Sequence, residues 1–328
     1  MNKKNLLLTI ALMLAVGFSF GQTSSEEFKP SGKVHVKIFT NFHSTFGDDT
    51  PTHNAFEIQR AYFGYGFNLT ENISGNITLD VANPGAGKLN MTAYLKNAYF
   101  QYKKGNLTTQ FGLITLQQFK VSESQWGGRY LYKSFQDQYK MGYSADLAFY
   151  TNYKFNKMVS ADISISNGEG YKSVETDSTF KYSAGLTLNP VKGLTFRGYY
   201  DYMGDDASQQ TMSFYLSYGV KNLNIAAEYN QQLNHNMVAD ETLSGYSFFG
   251  SYKLNKTRFF ARYDKLMSIE IGDAVDPWNF AKDGDAYIVG VEFNVAKGLK
   301  ITPNFQAWKP ADGSSMVNIA YLSCEIKI

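Results

Sequence analysis

Between residues 56 and 81 the chain alternates apolar and polar positions twice, with a short polar interruption between the two runs. Ala61, Phe63, Tyr65, Phe67 and Leu69 occupy every second position, and Arg60, Tyr62, Gly64, Gly66 and Asn68 lie between them. A period of two marks a strand with one apolar face. After Thr70, Glu71 and Asn72 the pattern restarts as Ile73, Gly75, Ile77, Leu79 and Val81, opposed by Ser74, Asn76, Thr78 and Asp80, so the two runs predict an antiparallel hairpin. Each run is close to the roughly 9–11 residues that a tilted membrane strand needs. With Arg60 and Asp80 on the polar face, the pair suits lipid on one side and water on the other. Phe56 and Ile58 fall on the opposite phase from Ala61 onward, which predicts either a bulge near Arg60 or a strand rising above the bilayer there.

The same alternation recurs almost to the last residue. It predicts sixteen strands, near 33–42, 56–69, 73–81, 93–102, 107–115, 145–152, 159–165, 182–188, 194–201, 212–218, 223–229, 246–252, 258–264, 287–293, 299–305 and 320–328. Seven short turns and eight longer loops alternate between them, the first loop being the polar segment 44–54. In a bilayer every backbone N–H and C=O needs a partner, and a closed barrel is the only spanning alternative to helices. An even strand number with short turns at one end and long loops at the other is the pattern of an outer-membrane barrel, and sixteen strands leave room for water inside. The expected fold is therefore all-β, a closed antiparallel transmembrane β-barrel of about sixteen strands.

Composition sharpens this picture. Aromatic residues make up 16% of the chain, with 24 Tyr and 25 Phe against 7 Pro, which favours strands that meet a membrane interface. Lys3 and Lys4 precede an apolar run, residues 6–20, and small residues Ser19 and Gly21 stand before Gln22, so residues 1–21 read as a secretory signal peptide and 22–328 as the barrel. Setting those two lysines aside leaves 29 basic residues against 29 acidic ones. No polybasic block points to nucleic acid. The lone Cys324 lies on the apolar phase of the last strand and serves as a small hydrophobe.

The longest interruption of the alternation is 117–143. It carries Trp126, Tyr130, Leu131, Tyr132, Phe135 and Tyr139, an apolar load that is costly to expose. Lys120, Arg129, Lys133 and Lys140 outnumber Glu123 and Asp137 by two in the same segment. The expectation is that this long third loop folds into the lumen and narrows it, with Arg129 and Lys133 among the groups a permeating anion meets; packing at a subunit interface or on neighbouring loops is the alternative. On the strands, the lumen phase carries Arg60, Lys96, Lys181, Arg197, Arg258, Arg262 and Lys300, together with Asp80, Asp146, Asp162, Asp201, Glu228, Asp264 and Glu292. Such charges either form rings that select ions or pair with one another across the lumen. The candidate constriction set is Arg60, Lys120, Arg129, Lys133, Asp137, Lys140, Asp146, Arg197, Arg258, Arg262 and Asp264.

Other chemistry finds little support. His43 and His53 flank the first loop with Asp48 and Asp49, but the spacing matches no metal-ligand motif. Residues 84–88 look superficially like a phosphate loop, yet Ala82 stands where the motif needs Gly and Leu89 where it needs Ser or Thr. The triplets beginning at Asn72 and Asn76 are glycosylation acceptors in form only. A serine hydrolase needs a nucleophile bonded to an oriented base, and no lumen-side Ser has a His in register. No metal, no cofactor and no enzymatic activity is expected.

Four segments, 56–62, 126–147 with Asp137 and Asp146, Asn167-Gly168-Glu169-Gly170-Tyr171, and Ala261-Arg262-Tyr263-Asp264, resemble the phosphate-selective porin O and P family and its relatives in Bacteroidetes. The resemblance spans nearly all of residues 22–328. It implies a sixteen-stranded barrel, a third loop inside the pore and a homotrimer. The chain departs from the family in lacking a dense arginine ladder and in ending at Ile328 where Phe is usual. The expected function is passive diffusion of ions and small hydrophilic solutes across the outer membrane, with an anion or phosphate preference open, and with membrane lipid and lipopolysaccharide as surroundings. The rival expectation is a plugged barrel whose outer loops, notably 266–284 with Asp276, Pro277 and Trp278, engage a surface partner.

Overall fold

The computed structural model describes residues 28–48, 50–82, 90–204 and 207–328. The signal-peptide reading, Asp49 and the stretch 84–88 lie outside them. Sixteen strands follow in order: β1 (Ser31–Gly47), β2 (Thr50–Asn68), β3 (Ile73–Ala82), β4 (Thr92–Lys104), β5 (Leu107–Thr115), β6 (Ala145–Lys154), β7 (Val159–Ser166) and β8 (Lys181–Leu188), then β9 (Leu194–Met203), β10 (Gln209–Val220), β11 (Leu223–Leu233), β12 (Leu243–Leu254), β13 (Thr257–Ser268), β14 (Gly284–Ala296), β15 (Leu299–Pro310) and β16 (Val317–Lys327). Each pairs antiparallel with its neighbours in sequence, and β16 returns to pair with β1, so the sheet closes with no free edge.

The period-two pattern places side chains as expected. Phe63, Ile77, Leu79, Phe111, Phe214 and Phe248 are exposed on the outer face, while Asp80, Asp201 and Asp264 are fully buried inside. An apolar exterior over a polar interior inverts a soluble protein and fits a barrel that spans a bilayer.

The first hairpin departs from the expected boundaries. The polar segment 44–54 is largely strand rather than loop: Ser44 pairs with Asn54, Thr45 with His53 and Gly47 with Thr50. Polar residues there do not break the ladder because β1 and β2, at 17 and 19 residues, are far longer than a bilayer crossing requires, and their ends need no apolar face. The phase misfit is a bulge. Phe39 pairs with Arg60 and Thr40 with Ile58, so Gln59 is the extra residue, and Phe56 and Ile58 return to the outer face.

The lumen is partly filled by the third loop, residues 116–144. It contains two short helices that its sequence did not announce, α1 (Lys120–Trp126) and α2 (Phe135–Gln138). Trp126, Tyr130 and Leu131 form one buried cluster with Phe39, Tyr215, Phe249, Phe260 and Ile288; Phe135 and Met141 form another with Leu243 and Leu266. All the barrel partners in these clusters are inward-facing, so the loop's aromatic load packs inside the barrel.

Candidate functional site

The third loop lies against one side of the barrel and is bound there by side chains from the wall. Trp126 is 1% exposed, wedged edge-on between Phe249 and Phe260 at ring separations of 5.5 and 5.6 Å. Gly245 admits the ring of Phe135, since a Cβ there would come within 2.4 Å of it. A loop buried in a barrel has backbone carbonyls to satisfy. Arginines do much of this: Arg197 donates to the Gln117 carbonyl at 3.1 Å, Arg258 to Trp126 at 3.0 Å and Arg262 to Lys133 at 2.9 Å. Gln306 donates to Leu131 at 3.1 Å, and Tyr130 donates to Glu292 at 2.8 Å.

Each of these arginines also holds a carboxylate. Arg197 grips Asp162 through both terminal nitrogens at 2.7 and 3.0 Å, Arg258 meets Glu292 at 2.8 Å, and Arg262 grips Asp264 at 2.8 and 2.7 Å. Arg197, Arg258, Arg262 and Asp264 thus face inward as the alternation assigned them, but they are sealed under the loop and do not line its free edge. The paired alternative describes them, and also Lys181 with Asp201 at 3.5 Å.

On the opposite side an unfilled gap, the aperture, remains between the loop and β1–β5. This cavity, about 290 Å³, is lined by Lys37, Lys96, Lys120 and Arg129, with Glu123 the one carboxylate among the described lining residues. Lys96 donates to the Ser144 hydroxyl at 2.8 Å and lies 5.4 and 4.6 Å over the rings of Tyr62 and Tyr171, all neutral partners. Lys37 lies 5.9 Å over Phe39. Lys120 meets Glu123 at 2.9 Å, and Arg129 bridges Glu123 at 3.2 Å and Asp137 at 2.9 Å. Burial works against the charge on Glu123, but Lys120 and Arg129 hold its carboxyl below the ordinary range. Four cations against Glu123, with Asp137 behind Arg129, leave the aperture a surplus of positive charge, whose field low-dielectric walls focus.

The remaining predicted residues sort by position. Arg60 is near the aperture but bound to Asp80 at 3.3 Å. Lys133 sits 3.8 Å from Asp137 and does not line the opening. Lys140 is exposed on the loop's other side. Asp146 serves structure: its carboxylate accepts the N–H of Leu147 at 2.8 Å and of Gly168 at 2.6 Å, fixing the 167–171 segment. Gly168 there has φ 102°, which glycine tolerates best. Tyr171, thus held, donates to Asp80 at 2.6 Å. Lys37 was absent from the predicted set, although it sits on the inward phase of β1, which is a signal the sequence carries. Among the described residues no group of three or more His, Cys, Asp or Glu side chains could hold a metal.

No family model matches the chain and no curated protein is similar to it. Solved structures are similar in fold. OmpF of Salmonella typhi, determined in complex with daunomycin, matches with a TM-score of 0.68 at 10% identity, covering 90% of this chain and 97% of that one. The outer membrane channel DcaP of Acinetobacter baumannii matches at 0.65 and 12%, covering 91% and 97%. The anion-selective porin from Comamonas acidovorans matches at 0.66 and 9%, covering 92% and 100%. At these identities the likeness is one of architecture, and it shows that the chain has the barrel fold of outer-membrane porins.

Proposed function

We propose that this protein is an outer-membrane porin that passes small hydrophilic solutes by passive diffusion and favours anions. The observation that carries this reading is the aperture beside the third loop, where Lys37, Lys96, Lys120 and Arg129 face Glu123. A ring of like charge at a constriction lowers the barrier for counter-ions and raises it for co-ions. Three of the four cations are lysines, whose compact ammonium groups remain hydrated and hold an anion without locking it in a fork. Phosphate, bearing more charge than chloride, is the preferred guest on this reading, in keeping with the resemblance to the phosphate-selective porin O and P family. The same reading carries export through residues 1–21, residence in the outer membrane, assembly as a homotrimer, and the role of a channel and not an enzyme.

Planar-bilayer recording of the purified protein tests it. Discrete, ohmic current steps are expected in chloride, with phosphate lowering the chloride current as it occupies the lysines. A barrel plugged by its third loop would give no stable steps.

A further inference from the structure

On the loop-facing side of the third loop lies a second cavity, bordered by the end of α2 and by the β11–β12 and β13–β14 connections. Its volume of about 480 Å³ falls in the range of small-molecule sites, roughly 300–1,000 Å³. Rings form its walls. Trp278 and His235 lie 5.7 Å apart and tilted by 30°, and Tyr139 and Trp308 lie 6.2 Å apart and tilted by 38°. They are held in place: the Trp278 indole donates to the Thr242 carbonyl at 2.9 Å, and His235 Nδ1 sits 2.5 Å from Gln232, whose amide donates to the Met141 carbonyl at 2.9 Å.

Two exposed lysines, Lys140 and Lys282, also line this cavity, and among the described residues no carboxylate does. Burial, followed by these two lysines, keeps the His235 imidazole below its ordinary range and so disfavours its charged form. An inorganic anion would use the lysines and leave the rings wet; a neutral ring would use the rings and leave the lysines unmatched. A molecule with both a ring and a carboxylate satisfies the whole site.

We propose that this cavity binds small ring-bearing carboxylates, the ring lying against Trp278, Trp308 and Tyr139 while the carboxylate meets Lys140 and Lys282. The site's part in transport rests on the channel reading, but binding itself does not. Aryl acids and sugar acids share this chemistry, because aromatic side chains stack on planar rings and also cover the apolar faces of sugars.

The chain has 3 tryptophans, two of which line this cavity while Trp126, on the third loop, is buried against the barrel wall, so intrinsic fluorescence reports the site directly. The folded full-length protein in detergent is titrated with benzoate, glucuronate and acetate. Saturable quenching by benzoate or glucuronate, with none by acetate, is expected, and the tighter of the two identifies the aryl or the sugar acid as the guest. The double variant K140Q/K282Q, altered only at exposed side chains, should bind about tenfold more weakly, as two solvent-facing charge contacts imply; W308L should weaken binding of the same probe again. Absence of saturation with both ring acids, equal quenching by acetate, or unchanged affinity in K140Q/K282Q would overturn the proposal. Saturable quenching in a protein that gives no current steps would reject the channel and keep the site, and the reverse pattern would reject the site and keep the channel.

Discussion

The two walls of the lumen carry cations of different kinds in different states. Arg197, Arg258 and Arg262, on β9 and β13, are buried, each bound to a carboxylate and to a carbonyl of the third loop. Lys37, Lys96 and Lys120, on β1, β4 and the loop's free edge, face an aperture whose one lining carboxylate among the described residues is Glu123. The planar guanidinium can serve two acceptors at once in fixed geometry, which suits it to seating a loop; the ammonium is a hydrated point charge, which suits it to meeting mobile ions. The same inward phase of the alternation therefore yields fastening on one side and a field on the other. Where the third loop rests decides which.

The comparison breaks most severely at the fastenings. Arg262→Ala leaves Asp264 buried without its partner and frees the Lys133 carbonyl, so it should destabilise the barrel by roughly 3–5 kcal/mol. A lowered urea midpoint with an unchanged slope would show it. Trp126→Ala removes the wedge between Phe249 and Phe260 at a cost of roughly 3–5 kcal/mol, concentrated in the loop. The expected signs are protease cleavage within 116–144 and noisier, larger conductance. Asp146→Asn weakens the two N–H bonds that fix the 167–171 segment, by roughly 1–3 kcal/mol, and hydrogen exchange at Leu147 and Gly168 should quicken. The smallest effect is expected at Arg129→Gln. Glu123 and Asp137 already share that charge, so the reversal potential should move less than for either Lys37→Gln or Lys96→Gln, with a stability loss of about 1 kcal/mol as the two carboxylates lose a partner.

Much of this arrangement was legible in the sequence. Period-two alternation found the sixteen strands because lipid and water impose opposite demands on successive residues, and the apolar load of 117–143 pointed it inward. The first hairpin was harder. Its ends lie beyond the apolar layer, where a strand such as 50–55 carries no alternation to read, and a single extra residue at Gln59 reversed the phase without any change of composition. The helices α1 and α2 were hidden because, at 7 and 4 residues, they are too short to show a helical period. Within the site, the alternation identified which charges face inward but not which of them the loop covers. That depends on contacts between residues far apart in sequence, such as Arg258 with Trp126 and Gln306 with Leu131. By its phase alone Asp146 reads as a lumen charge, because its bond to Gly168, 22 residues on, has no signature at strand spacing.

The most direct test of the positive aperture is the reversal potential of the reconstituted protein under a tenfold potassium chloride gradient, measured beside the double variant K37Q/K96Q. The wild-type protein should show the sign of chloride preference, and the variant should lie close to zero or cross to potassium, because its lining retains Lys120 and Arg129 against Glu123 with Asp137 behind them. Potassium preference in the wild-type protein, or a reversal potential that the double variant leaves unmoved, would contradict an anion path between the third loop and β1–β5.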